Sequence, residues 1–228
     1  MSAEVIEETP RPARLVTLPG VYAPQHDTHL LREAVDREDI GPNTEVLDLG
    51  TGSGALALHA AQRGARVTAV DVARRAVMTA RLNALILRRR ITVRRSDLLS
   101  ALPGRSYDLV ICNPPYVPSP LGGLPGHGAA RAWDAGYDGR AVLDRVCDAA
   151  PAALRPGGRL LMVHSGLCDG EATLRRLSGA GLLAEVTGRA QVPLGPVLRS
   201  RLRWLREQGL VNGDATTEEL VVIRAEHP

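Results

Sequence analysis

The chain has 228 residues, 44% of them hydrophobic and 23% charged, and its formal net charge is +3. This composition is typical of a globular protein that is long enough to bury a sizeable core. No segment approaches 18 consecutive apolar residues, so we expect no membrane span and no membrane partner.

Three cysteines are scattered through the chain without Cys-x-x-Cys spacing. This spacing argues against a zinc site and against a disulfide framework, so we expect no metal. The first residues are acidic and contain prolines, unlike a targeting peptide. We therefore expect a cytoplasmic protein with a disordered tail over residues 1–15 and a single domain over residues 16–228.

Strand and helix patterns alternate along the chain. The predicted strands lie at 46–49, 67–70, 91–93, 108–112, 159–163, 184–192 and 220–225. The predicted helices lie at 28–37, 55–63, 74–87, 140–154 and 171–179, and a basic amphipathic stretch covers 198–208. Strands separated by helices indicate βαβ units, so the pattern predicts an α/β fold with a mainly parallel sheet.

The first predicted strand runs into the glycine-rich loop Gly50-Thr51-Gly52-Ser53-Gly54. Glycines at alternate positions let backbone N–H groups approach a ligand at the N-terminus of the next helix. Asp48 lies two residues before this loop, where a carboxylate suits ammonium and sulfonium charges better than a pyrophosphate. The glycines, with Ala55, also satisfy the dinucleotide fingerprint, so they do not choose between the two cofactors.

Carboxylates also end the next two strands. Asp71 ends the second strand, where it could accept hydrogen bonds from both ribose hydroxyls of either NAD or S-adenosylmethionine. Asp97 follows the third strand, where it could accept a hydrogen bond from an adenine amino group while Leu98 packs near the ring. Together with Asp48, these carboxylates favour an S-adenosylmethionine site.

The segment Asn113-Pro114-Pro115-Tyr116 follows the apolar fourth strand. Two consecutive prolines cannot extend a strand because neither donates a ladder hydrogen bond, so the chain must leave the sheet in a stiff loop. An amide oxygen and a backbone carbonyl can accept two hydrogen bonds from a planar NH2 group, and an aromatic ring can cover its face. The loop therefore predicts a site that presents a nitrogen atom to an electrophile; the alternative is a turn without chemistry.

In this order, the motifs resemble those of class I S-adenosylmethionine-dependent methyltransferases, and more narrowly the HemK-like release-factor glutamine N5-methyltransferases. The resemblance covers about residues 20–165 and includes the segments 21–28 and 133–140, where Ala135 replaces a glycine that the family often has. It implies a doubly wound, mostly parallel seven-stranded Rossmann-like sheet with one antiparallel edge strand. It also implies the compact branch of the family, which lacks an N-terminal helical domain.

The resemblance assigns roles to residues. Asn113, Pro114 and Tyr116 are expected to be catalytic and, with Pro115, to hold the substrate amide. S-adenosylmethionine, which becomes S-adenosylhomocysteine, is expected to contact Thr28, Asp48, Gly50, Thr51, Gly52, Asp71, Val72, Asp97, Leu98 and Asn113. His26 and His29 have no expected catalytic role: they line the cofactor entrance or, alternatively, lie on the surface.

The expected reaction is methylation of the glutamine amide in the Gly-Gly-Gln motif of a release factor or of another protein substrate. The same loop also serves amino groups of small metabolites and of nucleic-acid bases, although a DNA enzyme would need a target-recognition region that is not evident. A non-catalytic cofactor-binding scaffold and a nicotinamide dehydrogenase are further alternatives. The compact branch often works with a small zinc-binding activator protein. The stretch 198–208 is expected to pack on the core, to cover such a surface or to contact substrate.

Overall fold

A computed structural model describes residues 15–228. Its strands are β1 Glu45–Leu49, β2 Arg66–Asp71, β3 Ile91–Arg95, β4 Tyr107–Cys112, β5 Leu154–Ser165, β6 Leu183–Pro193 and β7 Thr217–Glu226. Its helices are α1 His26–Asp36, α2 Ala55–Gln62, α3 Arg74–Ile86, α4 Leu143–Ala153, α5 Gly170–Gly179, α6 Pro196–Ser200 and α7 Leu202–Glu207. The tail predicted over residues 1–15 lies, apart from Leu15, outside the described residues, and the predicted domain boundary stays a prediction.

The strands form one sheet in the order β3-β2-β1-β4-β5-β7-β6, which confirms the predicted doubly wound, mostly parallel α/β fold. β1 pairs in parallel with both β2 and β4, so the strand order reverses there. In open α/β sheets, ligands bind outside the carboxyl ends of the strands at such a reversal. The fold therefore places a ligand site beyond the ends of β1 and β4.

The antiparallel strand β7 lies one position in from the edge, between β5 and β6. β6 follows β5 through α5 and comes to lie at the edge of the sheet. Residues 194–216 then return from the end of β6 to the start of β7, where Pro193 pairs with Thr217. This connection leaves β6 and enters β7 at the same end of the strands. β7 must therefore run antiparallel to its neighbours.

The core lies on both faces of the sheet, as expected where crossover helices cover parallel strands. Leu47 of β1, Val110 and Ile111 of β4 and Leu161 of β5 are almost completely buried. Gly64 follows α2 with φ of +102°, so a left-handed residue ends this helix where the sequence predicts its end. No helix in the part of the chain from residue 15 onward has the length and apolar character to cross a bilayer.

The amphipathic stretch 198–208 forms the two short helices α6 and α7, which are separated at Arg201. Leu198 and Leu205 are buried in a second, smaller apolar cluster. The Arg201 guanidinium lies 2.7 Å from the carboxylate of Asp134, which is itself buried. It also donates a hydrogen bond of 2.8 Å to the carbonyl of Pro118. This stretch therefore packs over the chain that follows the Asn-Pro-Pro-Tyr loop. Of the three alternatives for it, the structure supports a packed helical segment.

Candidate active site

A cavity lies at the carboxyl edge of the parallel strands and encloses about 1450 Å³ of empty space, its open mouth included. Its walls come from residues 20–28, from the loops that follow β1, β2, β3 and β4, and from residues 124–134. The predicted site residues that line it are Thr28, Gly50, Thr51, Gly52, Asp71, Val72, Asp97, Leu98, Asn113, Pro114, Pro115 and Tyr116. The fold thus brings separate motifs of the sequence to one surface.

Asp48 does not line this cavity but lies buried beneath the glycine-rich loop. One of its oxygens accepts hydrogen bonds from the Thr51 hydroxyl at 2.6 Å and from the Ala57 N–H at 3.0 Å. The other oxygen has no hydrogen-bond partner among the described residues, and burial raises the pKa of Asp48 to about 7. Asp48 therefore ties the loop to the first turn of α2, and its contact with a cofactor stays a prediction.

The three glycines of the loop differ in what surrounds them. Gly50 and Gly52 have φ of +73° and +54°, which strains any residue with a side chain. A Cβ at either position would have no atom closer than 3.9 Å, so the space beside the loop is open to a ligand. A Cβ at Gly54 would instead lie 3.2 Å from Ala80, so this glycine allows α2 to pack closely on α3.

Asp71 is a rigidly held acceptor at the end of β2. Its two oxygens accept hydrogen bonds from the Gly52 N–H at 3.0 Å and from the Ala73 N–H at 2.8 Å. Burial raises the pKa of this carboxyl, and the two backbone N–H groups oppose that rise. A carboxylate oxygen can accept more than one hydrogen bond, so Asp71 retains acceptor capacity toward a pair of vicinal hydroxyls.

The segment after β3 supplies a polar and an apolar wall. Asp97 is exposed at the rim, where its carboxylate lies 2.8 Å from the Arg145 guanidinium. Leu98 has φ of +47°, an uncommon conformation for a branched side chain, and lines the cavity. The Ser96 hydroxyl donates to the Leu98 carbonyl at 2.7 Å and holds this turn. Arg145, which was not predicted, belongs to the same wall.

The Asn-Pro-Pro-Tyr loop is anchored at both of its ends. The Asn113 amide nitrogen lies 3.5 Å from the Thr28 hydroxyl, and the Tyr116 hydroxyl donates to Asp27 at 3.1 Å. Burial raises the pKa of Tyr116 well above its usual value, so the hydroxyl keeps its proton. Behind the loop, a Cβ at Gly139 would overlap the Tyr116 carbonyl, so only glycine allows this approach.

Asp27 is the main residue that sequence reasoning missed. Of the two alternatives for His26 and His29, the structure supports the surface position, since both are exposed and neither lines the cavity. The residue between them, Asp27, is only 3% exposed and lies on the cavity wall. The sequence contained a signal for this. Asp27 precedes Leu30 and Leu31 by three and four residues, so in an amphipathic helix it lies on the same, buried face.

The acceptor at Asp71 and the mixed wall at Leu98 suit an adenosine, which a nicotinamide dinucleotide and S-adenosylmethionine share. The loop after β4 distinguishes these two cofactors. Its sequence provides two expected acceptors for an amino group, the Asn113 amide oxygen and the Pro114 carbonyl, and hydride transfer from a nicotinamide has no need for them. Within the described residues, no histidine or cysteine lines the cavity. Fold and cavity together define an S-adenosylmethionine-dependent methyltransferase that acts on nitrogen.

Known proteins place the chain more narrowly within this class. Residues 12–119 match the family described as methyltransferase small domain. A putative protein N5-glutamine methyltransferase of Methanocaldococcus jannaschii is 33% identical over 177 residues, which cover 77% of this chain and 87% of that protein. The chain belongs to the HemK-like family of protein glutamine N5-methyltransferases, and its cofactor is S-adenosylmethionine.

A release factor glutamine methyltransferase of Moorella thermoacetica is 39% identical over 173 residues, which cover 71% of this chain and 61% of that enzyme. The chain thus spans about three fifths of the length of this relative. The solved E. cuniculi Mtq2–Trm112 complex, described as responsible for methylation of the translation termination factor eRF1, superimposes with a TM-score of 0.66 at 25% identity. The match covers 92% of this chain and 99% of the matched chain.

Proposed function

We propose that this protein methylates the side-chain amide nitrogen of a glutamine, and that the glutamine belongs to the Gly-Gly-Gln motif of a peptide-chain release factor. The observation that carries the proposal is the loop at the end of β4, whose residues Asn113, Pro114, Pro115 and Tyr116 line the same cavity as Asp71 and Leu98. The names of the relatives support the release factor as substrate. The cytoplasm, where translation factors act, is the expected compartment.

A glutamine amide is a poor nucleophile because its nitrogen lone pair is delocalised into the carbonyl. Hydrogen bonds from its NH2 group to the Asn113 oxygen and to the Pro114 carbonyl would fix the direction of the nitrogen. The Tyr116 ring, whose hydroxyl is held by Asp27, would pack against the amide plane. These contacts would orient the nitrogen toward the cofactor, which would supply the methyl group when bound.

Catalysis in this arrangement rests on proximity, alignment and fixed dipoles. The ionisable side chains that line the cavity in the described chain are aspartates, tyrosines and arginines. The one ionisable side chain within the Asn-Pro-Pro-Tyr loop, Tyr116, is not a free base, because its buried hydroxyl keeps its proton and donates a hydrogen bond to Asp27. Positioning of two reactants can lower a barrier by about 7–11 kcal/mol, which is enough for a large part of the acceleration.

In the cofactor half of the cavity, Asp71 would accept hydrogen bonds from the ribose hydroxyls. Val72 and Leu98 would pack against the adenine, and Asp97 would accept a hydrogen bond from its amino group. Gly50, Thr51 and Gly52 would bring backbone close to the methionine part, with Thr28 on the opposite wall. Asp48 would act through Thr51, because its carboxylate accepts a hydrogen bond of 2.6 Å from the Thr51 hydroxyl.

The proposal is tested by incubating the protein with methyl-labelled S-adenosylmethionine and a release factor. A matched release factor, in which alanine replaces the glutamine of the Gly-Gly-Gln motif, is the control. We expect label on the first protein and none on the second. Equal labelling of both would contradict the glutamine assignment. Labelling of neither, with S-adenosylhomocysteine still bound, would point to a missing activator protein or to an amino group of a small metabolite or of a nucleic-acid base as the acceptor.

A small partner protein is part of the proposal. The exposed side of α3 carries the apolar residues Met78, Leu82, Leu85 and Ile86, which are 60%, 38%, 76% and 50% exposed. They lie beside β3, whose outer edge has no strand partner within the described sheet. Large exposed apolar patches mark interaction sites. A small zinc-binding activator protein is the expected occupant. Replacing Leu85 by glutamate should abolish co-purification of this partner while binding of S-adenosylhomocysteine is retained.

A further inference from the structure

Asp27 connects three side chains of the cavity wall through one buried carboxylate. Its Oδ2 accepts hydrogen bonds from the Tyr22 hydroxyl at 2.9 Å and from the Tyr116 hydroxyl at 3.1 Å. Its Oδ1 accepts from the Thr28 N–H at 2.5 Å and from the Thr28 hydroxyl at 3.2 Å. All four groups are donors, so each directs its hydrogen toward this carboxylate, whose oxygens accept.

The hydroxyl of Thr28 therefore has a defined direction. Its single hydrogen is donated to Asp27, so its oxygen can only accept from other neighbours. The neighbour is the amide nitrogen of Asn113 at 3.5 Å. With its NH2 group directed at Thr28, Asn113 must direct its carbonyl oxygen the other way. An amide whose oxygen is free can accept a hydrogen bond from the NH2 group of a substrate, whereas the flipped amide would present a second donor.

We propose that Asp27 is a positioning residue that sets the orientation of the Asn113 amide through Thr28 and holds Tyr116 through its hydroxyl. The inference rests on the proposed function, since it concerns the same substrate amide. Burial and the neighbouring Asp27 also raise the pKa values of Tyr22 and Tyr116, so both hydroxyls remain donors. One carboxylate thus fixes both ends of the Asn-Pro-Pro-Tyr loop.

The test uses Asp27→Asn, which conserves shape. The amide at position 27 has one oxygen, so it cannot accept at both Thr28 and the two tyrosines. Where the new NH2 group faces Thr28, it donates to the Thr28 hydroxyl, whose own hydrogen becomes free. The Thr28 hydroxyl can then donate to the Asn113 oxygen. That oxygen is the acceptor that the substrate NH2 group needs. We expect kcat at saturating cofactor to fall by about 100-fold, the effect of a small misplacement. The dissociation constant of S-adenosylhomocysteine should stay within about threefold, since the cofactor contacts remain.

The matched control is Glu218→Gln, which replaces another buried carboxylate, on β7, and removes none of the four hydrogen bonds of Asp27. We expect it to keep kcat. Thr28→Val, which keeps the shape of residue 28 and removes its hydroxyl, is the second variant. The double variant Asp27→Asn with Thr28→Val should be no slower than the slower single variant, because both changes interrupt the same chain of hydrogen bonds.

Three results would overturn the inference. These are a kcat of Asp27→Asn within about twofold of the unsubstituted protein, a kcat of Thr28→Val that is equally unaffected, and losses that multiply in the double variant. Failure of the proposed function is distinguishable, because the unsubstituted protein would then leave the release factor unlabelled. Unfolding of Asp27→Asn would appear as lost binding of S-adenosylhomocysteine, and Thr28→Val would then decide the outcome.

Discussion

At the scale of single residues, Asp71 and Asn113 line the same cavity, and we expect them to have separable tasks. We expect Asp71→Ala to weaken binding of S-adenosylhomocysteine by roughly 100-fold, since it removes charge-assisted hydrogen bonds worth about 2–3 kcal/mol. Asn113→Ala should leave that affinity within about threefold and lower turnover by about 100-fold or more, because it removes an oriented dipole. Isothermal titration and the labelling assay measure the two effects.

The exposed carboxylate Asp214, which does not line the cavity, is the control for both variants, and Asp214→Ala should change neither affinity nor turnover. Unchanged affinity in Asp71→Ala would contradict the ribose assignment. Full turnover in Asn113→Ala would contradict the role of the amide in orienting the substrate.

A second prediction at this scale concerns Glu218 on β7. Burial raises the pKa of Glu218 from 4.5 to about 7, and one of its oxygens has no hydrogen-bond partner among the described residues. Between these two values the unfolded chain loses its proton while the folded protein keeps it, so the free energy of unfolding falls as the pH rises. The cost is complete above pH 7 and is on the order of 3 kcal/mol.

We therefore expect Glu218→Gln to stabilise the protein at pH 8 and to have little effect at pH 4. Urea unfolding at the two pH values measures the difference. A gain in stability that is equal at both pH values would assign the effect to packing instead of ionisation.

At the scale of elements, the segment from Trp133 to Arg140 packs behind the Asn-Pro-Pro-Tyr loop. A Cβ at Gly139 would overlap the Tyr116 carbonyl and lie 2.7 Å from the Cys168 sulfur. Gly139→Ala should therefore displace the loop and lower kcat by about 100-fold. Gly104→Ala is the matched control, because Gly104 has a similar φ of +68° and a Cβ there would meet nothing within 4 Å. Equal kcat values for the two variants would mean that backbone strain alone, without the overlap, explains the glycine.

The ion pair between Arg201 and Asp134 connects α6 and α7 to the chain that follows the Asn-Pro-Pro-Tyr loop. Asp134 is 2% exposed, so Arg201→Ala leaves a buried charge without its partner, a change that costs about 3–5 kcal/mol. Arg203 is 95% exposed and, among residues 15–228, pairs only with Glu207 in its own helix, so Arg203→Ala should cost about 0.5 kcal/mol or less. Urea midpoints of the two variants check the difference. Equal midpoints would mean that α6 and α7 do not stabilise the site.

At the scale of the whole molecule, one cavity joins loops from four parallel strands, so a cofactor bound there is expected to contact all four. A ligand at 100 times its dissociation constant stabilises a protein by about 2.7 kcal/mol. For a chain of this size, S-adenosylhomocysteine should raise Tm by about 5–10 °C, as followed by differential scanning fluorimetry. NAD at the same concentration should leave Tm unchanged, and an equal rise would return the dinucleotide alternative.

The sequence by itself determined the order of strands and helices, because hydrophobic periodicity and glycine or proline at element ends are local properties. It also determined which strand-end loops form one side of the cavity. Motifs at the ends of parallel strands must meet at one edge of the sheet, so Gly50, Asp71, Asp97 and Asn113 could be grouped without knowing the strand order. The family followed from these same motifs.

Only the tertiary structure decided which neighbours each side chain has. Asp48 belongs to the same strand-end pattern as Asp71, yet Thr51 covers it and it does not reach the cavity. Asp27 and Tyr116 are distant in sequence and meet through a hydrogen bond that no local pattern indicates. The place of β7 inside the edge follows from the path of residues 194–216. Periodicity specifies the face of each element, whereas contacts between elements depend on how all of them pack together.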